Sequence, residues 1–307
     1  MKINGSVIMV SEQRIVFDTT GLDATIQYLG DKTSDNFERL VTCAGNVFAS
    51  DHYRWSNMNT RITTEAFWRT TLEGIGDVKE VIQRASKVRD YLLSRCQSIW
   101  LPRVLDYLPE SHMFSTRVYL NLGYDNIAYG EDVALNLNHS SFNMDPREAI
   151  YYLMHELAHV GYFRYHMIRN LAAAKTWREL ADNVMYLTHL EGMGVLTPLR
   201  LRIEEGGLTD ADYFVLGDPT EKRKRVHAYF KKLDGLEDDP ERIVEKGDLD
   251  MYDQFSRRPL RLWYIAGCHM AQMIESELGS EVLRELVREG SGSFFETYRR
   301  VPNQLID

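Results

Sequence analysis

Apolar side chains recur along this chain mostly at three- and four-residue intervals, with a few short stretches that alternate instead. The helical interval is clearest at Val78, Val81, Ile82, Ala85, Val88, Tyr91 and Leu92, which share one face of a helix. It runs from about residue 64 to 108, where Pro102 and Pro109 are expected to bend or end the segments. Ahead of it, residues 14–17 read as a short strand, 18–21 as a turn, and 22–29 and 34–48 as helices. Strand spacing returns at 117–122 and, after a turn at 123–126, at 132–138. In the latter, Val133, Leu135 and Leu137 take one face, and Ala134, Asn136 and Asn138 take the other.

The next element begins with a helix-start signal. Asp145 suits the N-cap, Pro146 the first helical position, and Glu148 completes a capping box. Ile150, Leu153, Met154, Leu157 and Val160 then form an apolar stripe. A second apolar stretch carries Val184, Leu187, Leu190, Val195 and Leu199. Between 205 and 250 the pattern weakens. Gly206-Gly207, Asp218-Pro219 and the basic run Lys222-Arg223-Lys224-Arg225, followed by Glu237-Asp238-Asp239, predict a surface excursion with a solvated mixed-charge face. Pro259 opens a helix at 260–278 closed by Gly279, Ser280 starts another ending near Gly290, and 293–300 forms a last short one. Ala266, Gly267 and Ala271 predict tight helix packing there. The chain is therefore expected to be mainly α (α+β). A mainly helical region at 1–110 would pack on a second part at 111–307, which has a small antiparallel sheet just ahead of the helix at 145.

One segment carries chemistry. His155-Glu156-Leu157-Ala158-His159 lies about two turns into that helix. Residues i and i+4 stand one above the other, so both imidazoles can reach one metal ion while Glu156 sits beside the open coordination position. A catalytic zinc site has three protein ligands and leaves one position for water. A third histidine in the extended H-E-x-x-H-x-x-G-x-x-H pattern would need Gly at 162 and His at 165, and both positions are tyrosine. Gly161 and His166 are each displaced by one residue, about 100° of helical rotation.

A glutamate from a second helix fits better. Glu191 is favoured, because a carboxylate on an apolar stretch needs a partner. Gly192 and Gly194 weaken a helix and so signal a packing demand, such as close approach to the helix bearing His155. Glu179, His166 and His189 are the alternatives. Tyr264 is the candidate hydrogen-bond donor to an oxyanion, with His269 and His189 behind it.

His155-Glu156-Leu157-Ala158-His159 with Glu191-Gly192 downstream resembles the gluzincin zinc peptidases. Over most of its length the chain is similar to a family of zinc-dependent proteases known mainly from genome sequences. Arg14-Ile15-Val16-Phe17-Asp18, Tyr264-Ile265-Ala266-Gly267 and Phe295 with Tyr298 extend the similarity. The resemblance implies a zincin-like domain in which Zn2+ is held by His155, His159 and Glu191, with Glu156 as general base for peptide-bond hydrolysis. It also implies an edge strand, just before the motif helix, that pairs with a peptide or protein substrate. Asn136 and Asn138 would then line the cleft.

Composition narrows the partners. A net charge of −9 argues against broad affinity for nucleic acid or anionic membranes. No run approaches the ~18 apolar residues of a membrane span, and Val7-Ile8-Met9-Val10 is too short for a signal peptide's apolar core. Cys43, Cys96 and Cys268 are odd in number and lack metal-site spacing, as expected for reduced thiols in the cytoplasm. Two other functions would use the same motif. One is a non-enzymatic helical interaction protein with a vestigial or structural metal site, where a closed site would carry a fourth protein ligand, from His166 or His189. A hydrolase of a non-peptide amide would share the site and differ in its cleft.

Overall fold

The computed structural model describes residues 7–10, 13–57, 60–95, 97–109 and 115–302, so Cys96 lies outside the described residues. The order of elements is β1 (Val7–Val10), β2 (Gln13–Asp18), α1 (Thr20–Gly30), α2 (Ser34–Thr42), α3 (Ala44–Ser56), α4 (Thr64–Glu73), α5 (Val78–Ser94) and α6 (Gln97–Leu105). Then come β3 (Ser115–Asn121), β4 (Ile127–Tyr129), β5 (Asp132–Asn136), α7 (Ser140–Met144), α8 (Glu148–Phe163), α9 (Trp177–Glu205), α10 (Ala211–Gly217) and α11 (Pro219–Glu237). The chain closes with α12 (Asp250–Ser256), α13 (Leu262–Leu278), α14 (Ser280–Glu289) and α15 (Ser291–Arg300). The architecture is mainly α with one small sheet. None of the described helices is long and apolar enough to cross a membrane.

Two compact units result, one of Met1–Trp100 with Met113–Glu156, the other of Leu101–His112 with Leu157–Asp307. These bounds differ from a division at residue 110, because β3 pairs with β2 and draws the middle of the chain into the N-terminal sheet. The later boundary falls inside α8, so this single helix belongs to both units.

In the first unit the sheet has the order β1-β2-β3-β5-β4. Strands β2, β3 and β5 run parallel, with Val118 opposite Val133 and Asn121 opposite Asn136. A purely antiparallel sheet was expected. The parallel β3–β5 pair arises because the chain reverses through the short strand β4, which turns at Gly130 (φ +63°) and is the one that pairs antiparallel with β5, on its outer side. The edge strand on this side is therefore β4, not the 132–138 segment. Helices α1 and α3 lie on β3, close enough that a Cβ on Gly45 would fall 2.9 Å from the Tyr119 side chain. Above them Phe37, Leu40, Ala49, Phe67, Trp68 and Leu72 pack as one apolar cluster. The helix expected over 34–48 is two helices, because Cys43 is extended (ψ 136°) and caps both.

The second unit is built around α9. Thr176 caps it at the start, and Gly206 in the left-handed region (φ +66°) ends it. Helix α13 crosses α9 at Gly192 and Gly267, where neither residue has room for a side chain. The excursion expected at 205–250 contains α10 and α11 instead. Val226, Tyr229, Leu233 and Leu236 bury one face of α11, and α9 and α13 pack against it. The basic run is partly structural: the Arg225 guanidinium donates to the carbonyls of Pro259 and Leu260 and ties down the approach to α13.

Candidate metal centre

Helix α8 starts at Glu148, two residues later than an N-cap at Asp145 predicts, because Pro146 and Arg147 form a turn in which the Asp145 carboxylate accepts from the Arg147 backbone N–H at 3.0 Å. Ile150, Leu153, Met154 and Leu157 are buried, which fixes the rotation of the helix. His155 and His159 then lie one turn apart on one side, with His159 buried and His155 half-buried. On α9, buried Leu190 and Gly192 flank a half-buried Glu191. One ligand atom from each of His155, His159 and Glu191 lies within 4.8 Å of the others. His159 Nε2 and Glu191 Oε2 are 3.3 Å apart.

Those separations suit zinc. Ligands at about 2.0–2.1 Å in a tetrahedron stand about 3.3 Å from one another. Two imidazoles and a carboxylate are a recognised zinc donor set. Among the described residues, no fourth His, Cys, Asp or Glu joins the group. Glu156, the next residue after His155, is only 6% exposed.

The rival ligands have other work. Glu179 accepts a hydrogen bond from the Lys175 backbone N–H, and its own N–H donates to Thr176 Oγ1, so it belongs to the N-cap of α9. His166 Nε2 bonds to the Val287 carbonyl at 2.7 Å. His189 is wholly buried, stacked on Phe294 at 4.2 Å, with Nδ1 3.2 Å from the Tyr162 hydroxyl. Burial, then the neighbouring His166, lowers its pKa to about 3. His269 is also buried, which lowers its pKa to about 4.

Tyr264 lies on α13, and burial followed by the charge of Glu191 raises the pKa of its phenol. It is therefore a protonated donor within electrostatic reach of the third ligand. Two residues absent from the sequence reading stand next to it. The Arg261 guanidinium carbon sits 3.3 Å from the centre of the Tyr264 ring, and Arg261 is paired with Asp212 at 2.8 Å. Because the two are 49 positions apart in the chain, the pair leaves no spacing signal.

The Asn136 side chain serves the sheet, and Asn138 joins it through its backbone N–H. Asn136 Oδ1 accepts from the backbone N–H of Gly123 at 2.9 Å and of Asn138 at 3.0 Å. The Asn136 N–H donates to Asn126 Oδ1 at 2.9 Å. These bonds fasten the loop after β3 to the end of β5.

The model of a family described as "Putative zinc dependent peptidase (DUF5700)" matches residues 53–305. No curated protein and no solved structure matches the chain.

Proposed function

We propose that this chain, which belongs to the DUF5700 family, is a zinc-dependent metallopeptidase of gluzincin type that hydrolyses peptide bonds in a peptide or protein substrate. The observation that carries this reading is the grouping of His155, His159 and Glu191, three ligands from two helices, with Glu156 next in the chain to the first of them. Three protein ligands, with no fourth among the described residues, favour a catalytic over a structural site.

A zinc ion held by His155, His159 and Glu191 would supply Lewis acidity, making water a stronger acid and polarising a carbonyl oxygen. Glu156 takes the proton of the attacking water and returns it to the leaving amine. Its position on α8 is set by the same helical turn that aligns the two histidines. Tyr264 donates a hydrogen bond to the oxygen that gains charge as the carbonyl becomes tetrahedral. Burial and the Glu191 carboxylate both keep that phenol protonated at neutral pH. The free thiols of Cys43 and Cys268 agree with a cytoplasmic enzyme.

The test is metal analysis of the purified chain and of His155→Ala, followed by a peptide-library assay. Stoichiometric zinc in the wild type, lost in the variant, together with chelator-sensitive cleavage, is the expected result. Equal zinc in both proteins would remove the metal centre and the hydrolysis built on it.

A further inference from the structure

The beginning of α13 is organised around one arginine. Arg261 has φ +48°, a left-handed conformation that costs energy for any residue with a side chain. Arg225 fixes the approach by donating to the carbonyls of Pro259 and Leu260. The Arg261 side chain, 24% exposed, turns toward α10, where its Nε and a terminal nitrogen meet the buried Asp212 carboxylate at 2.9 and 2.8 Å. This fork holds the guanidinium carbon over the Tyr264 ring. Tyr264 itself is one turn before Gly267, which packs backbone to backbone on Thr188 and Gly192, either side of Glu191.

We propose that Arg261, held by Asp212, is a positioning residue for Tyr264: it keeps the phenol on the Glu191 side of the metal group and strengthens its hydroxyl as a donor. This role rests on the reading of Tyr264 as the oxyanion donor. A cation over an aromatic face draws electron density from the ring, and the attraction is larger where water is excluded. The planar guanidinium can bind a carboxylate edge-on and cover a ring at once; an ammonium cannot do both.

The experiment is a double-mutant cycle on the zinc-loaded full chain with Tyr264→Phe, Arg261→Lys and the two combined. Four quantities are read: kcat and KM for the best-cleaved library peptide, affinity for a phosphinic pseudopeptide of the same sequence, and zinc content. Tyr264→Phe is expected to lower kcat and phosphinate affinity about 100-fold. Arg261→Lys is expected to lower both about tenfold with KM nearly unchanged, the size of a desolvated cation–π contact. The combined variant should be no worse than Tyr264→Phe alone, and all should retain zinc. Asp212→Asn, nearly the same shape, should reproduce the Arg261→Lys loss and stands in if that variant does not fold. Equal loss from Arg261→Lys with and without Tyr264, no loss at all, or loss of zinc would overturn the proposal. If Tyr264→Phe is as active as wild type, the oxyanion role falls first, and the role of Arg261 with it. If His155→Ala keeps its zinc, the metal reading fails independently of both.

Discussion

The Cβ that Gly192 lacks would fall 2.4 Å from the carbonyl carbon of Gly267, and the one Gly267 lacks would fall 2.1 Å from the Thr188 carbonyl oxygen. Helices α9 and α13 thus touch backbone to backbone beside Glu191 and one turn from Tyr264. Gly192→Ala must push them apart, at an expected cost of about 1–3 kcal/mol, with zinc bound less tightly. Gly235 in α11 has open space around it, so Gly235→Ala should leave the melting temperature unchanged or raise it. Thermal melts with and without zinc check the contrast; a Gly192→Ala protein as stable as wild type would contradict the close crossing.

Glu156→Gln keeps the shape and hydrogen-bonding size of the side chain but cannot take up a proton. Zinc content should be unchanged, while kcat/KM falls by about 10²–10⁴. Metal analysis and a fluorogenic peptide assay on the same sample separate the two. A fully active variant would remove Glu156 from the reaction.

Glu191 and Glu179 lie on the same helix and should behave oppositely. Glu191→Ala removes one of three ligands and should strip zinc from the protein during dialysis. Glu179→Ala loses a contact at the helix N-terminus and should cost about 1 kcal/mol of stability with zinc retained. The reverse pattern would move the ligand role to Glu179.

His189 and His269 give the apoprotein a defined acid sensitivity. Burial lowers their folded pKa values to about 3 and about 4, from an ordinary 6.5. Above pH 6.5 both are neutral whether folded or not, and their stabilising contribution is complete. As pH falls below that, the unfolded chain binds protons that the folded chain refuses. Stability should then drop by about 1.4 kcal/mol per pH unit for each histidine, until the folded values are reached. Urea titrations of chelator-treated protein between pH 7 and 5 measure the slope, and His269→Gln should make it shallower. An identical slope in the variant would show that this histidine is not held neutral.

Much of the site was legible because it depends on short-range geometry. An i, i+4 pair of histidines on a capped amphipathic helix meets one metal wherever that helix packs. The isolated carboxylate of Glu191 on an apolar stretch announced its need for a partner. The strand at 14–17, the helix at 22–29, the helical pattern over 64–108 that contains Val78–Ser94, and the C-terminal run of helices likewise follow from periodicity and caps. Other readings failed where the partner is distant. Gly192 does signal a close approach, but its partner is α13, not α8. The strand at 132–136 does bury Val133 and Leu135, but β4 covers the side expected to lie open.

Sequence alone determined which residues can bind a metal, which faces must be buried, and that the fold is mostly helical, since each follows from side-chain chemistry and the pitch of a helix. Tertiary structure alone decided what covers those faces: the order of the strands, the burial of α11, and the Arg261–Asp212 pair beneath Tyr264. A hydrophobic stripe records that it is covered without recording by what. That choice is made by chain segments tens or hundreds of residues apart, through shape and charge that no local pattern carries.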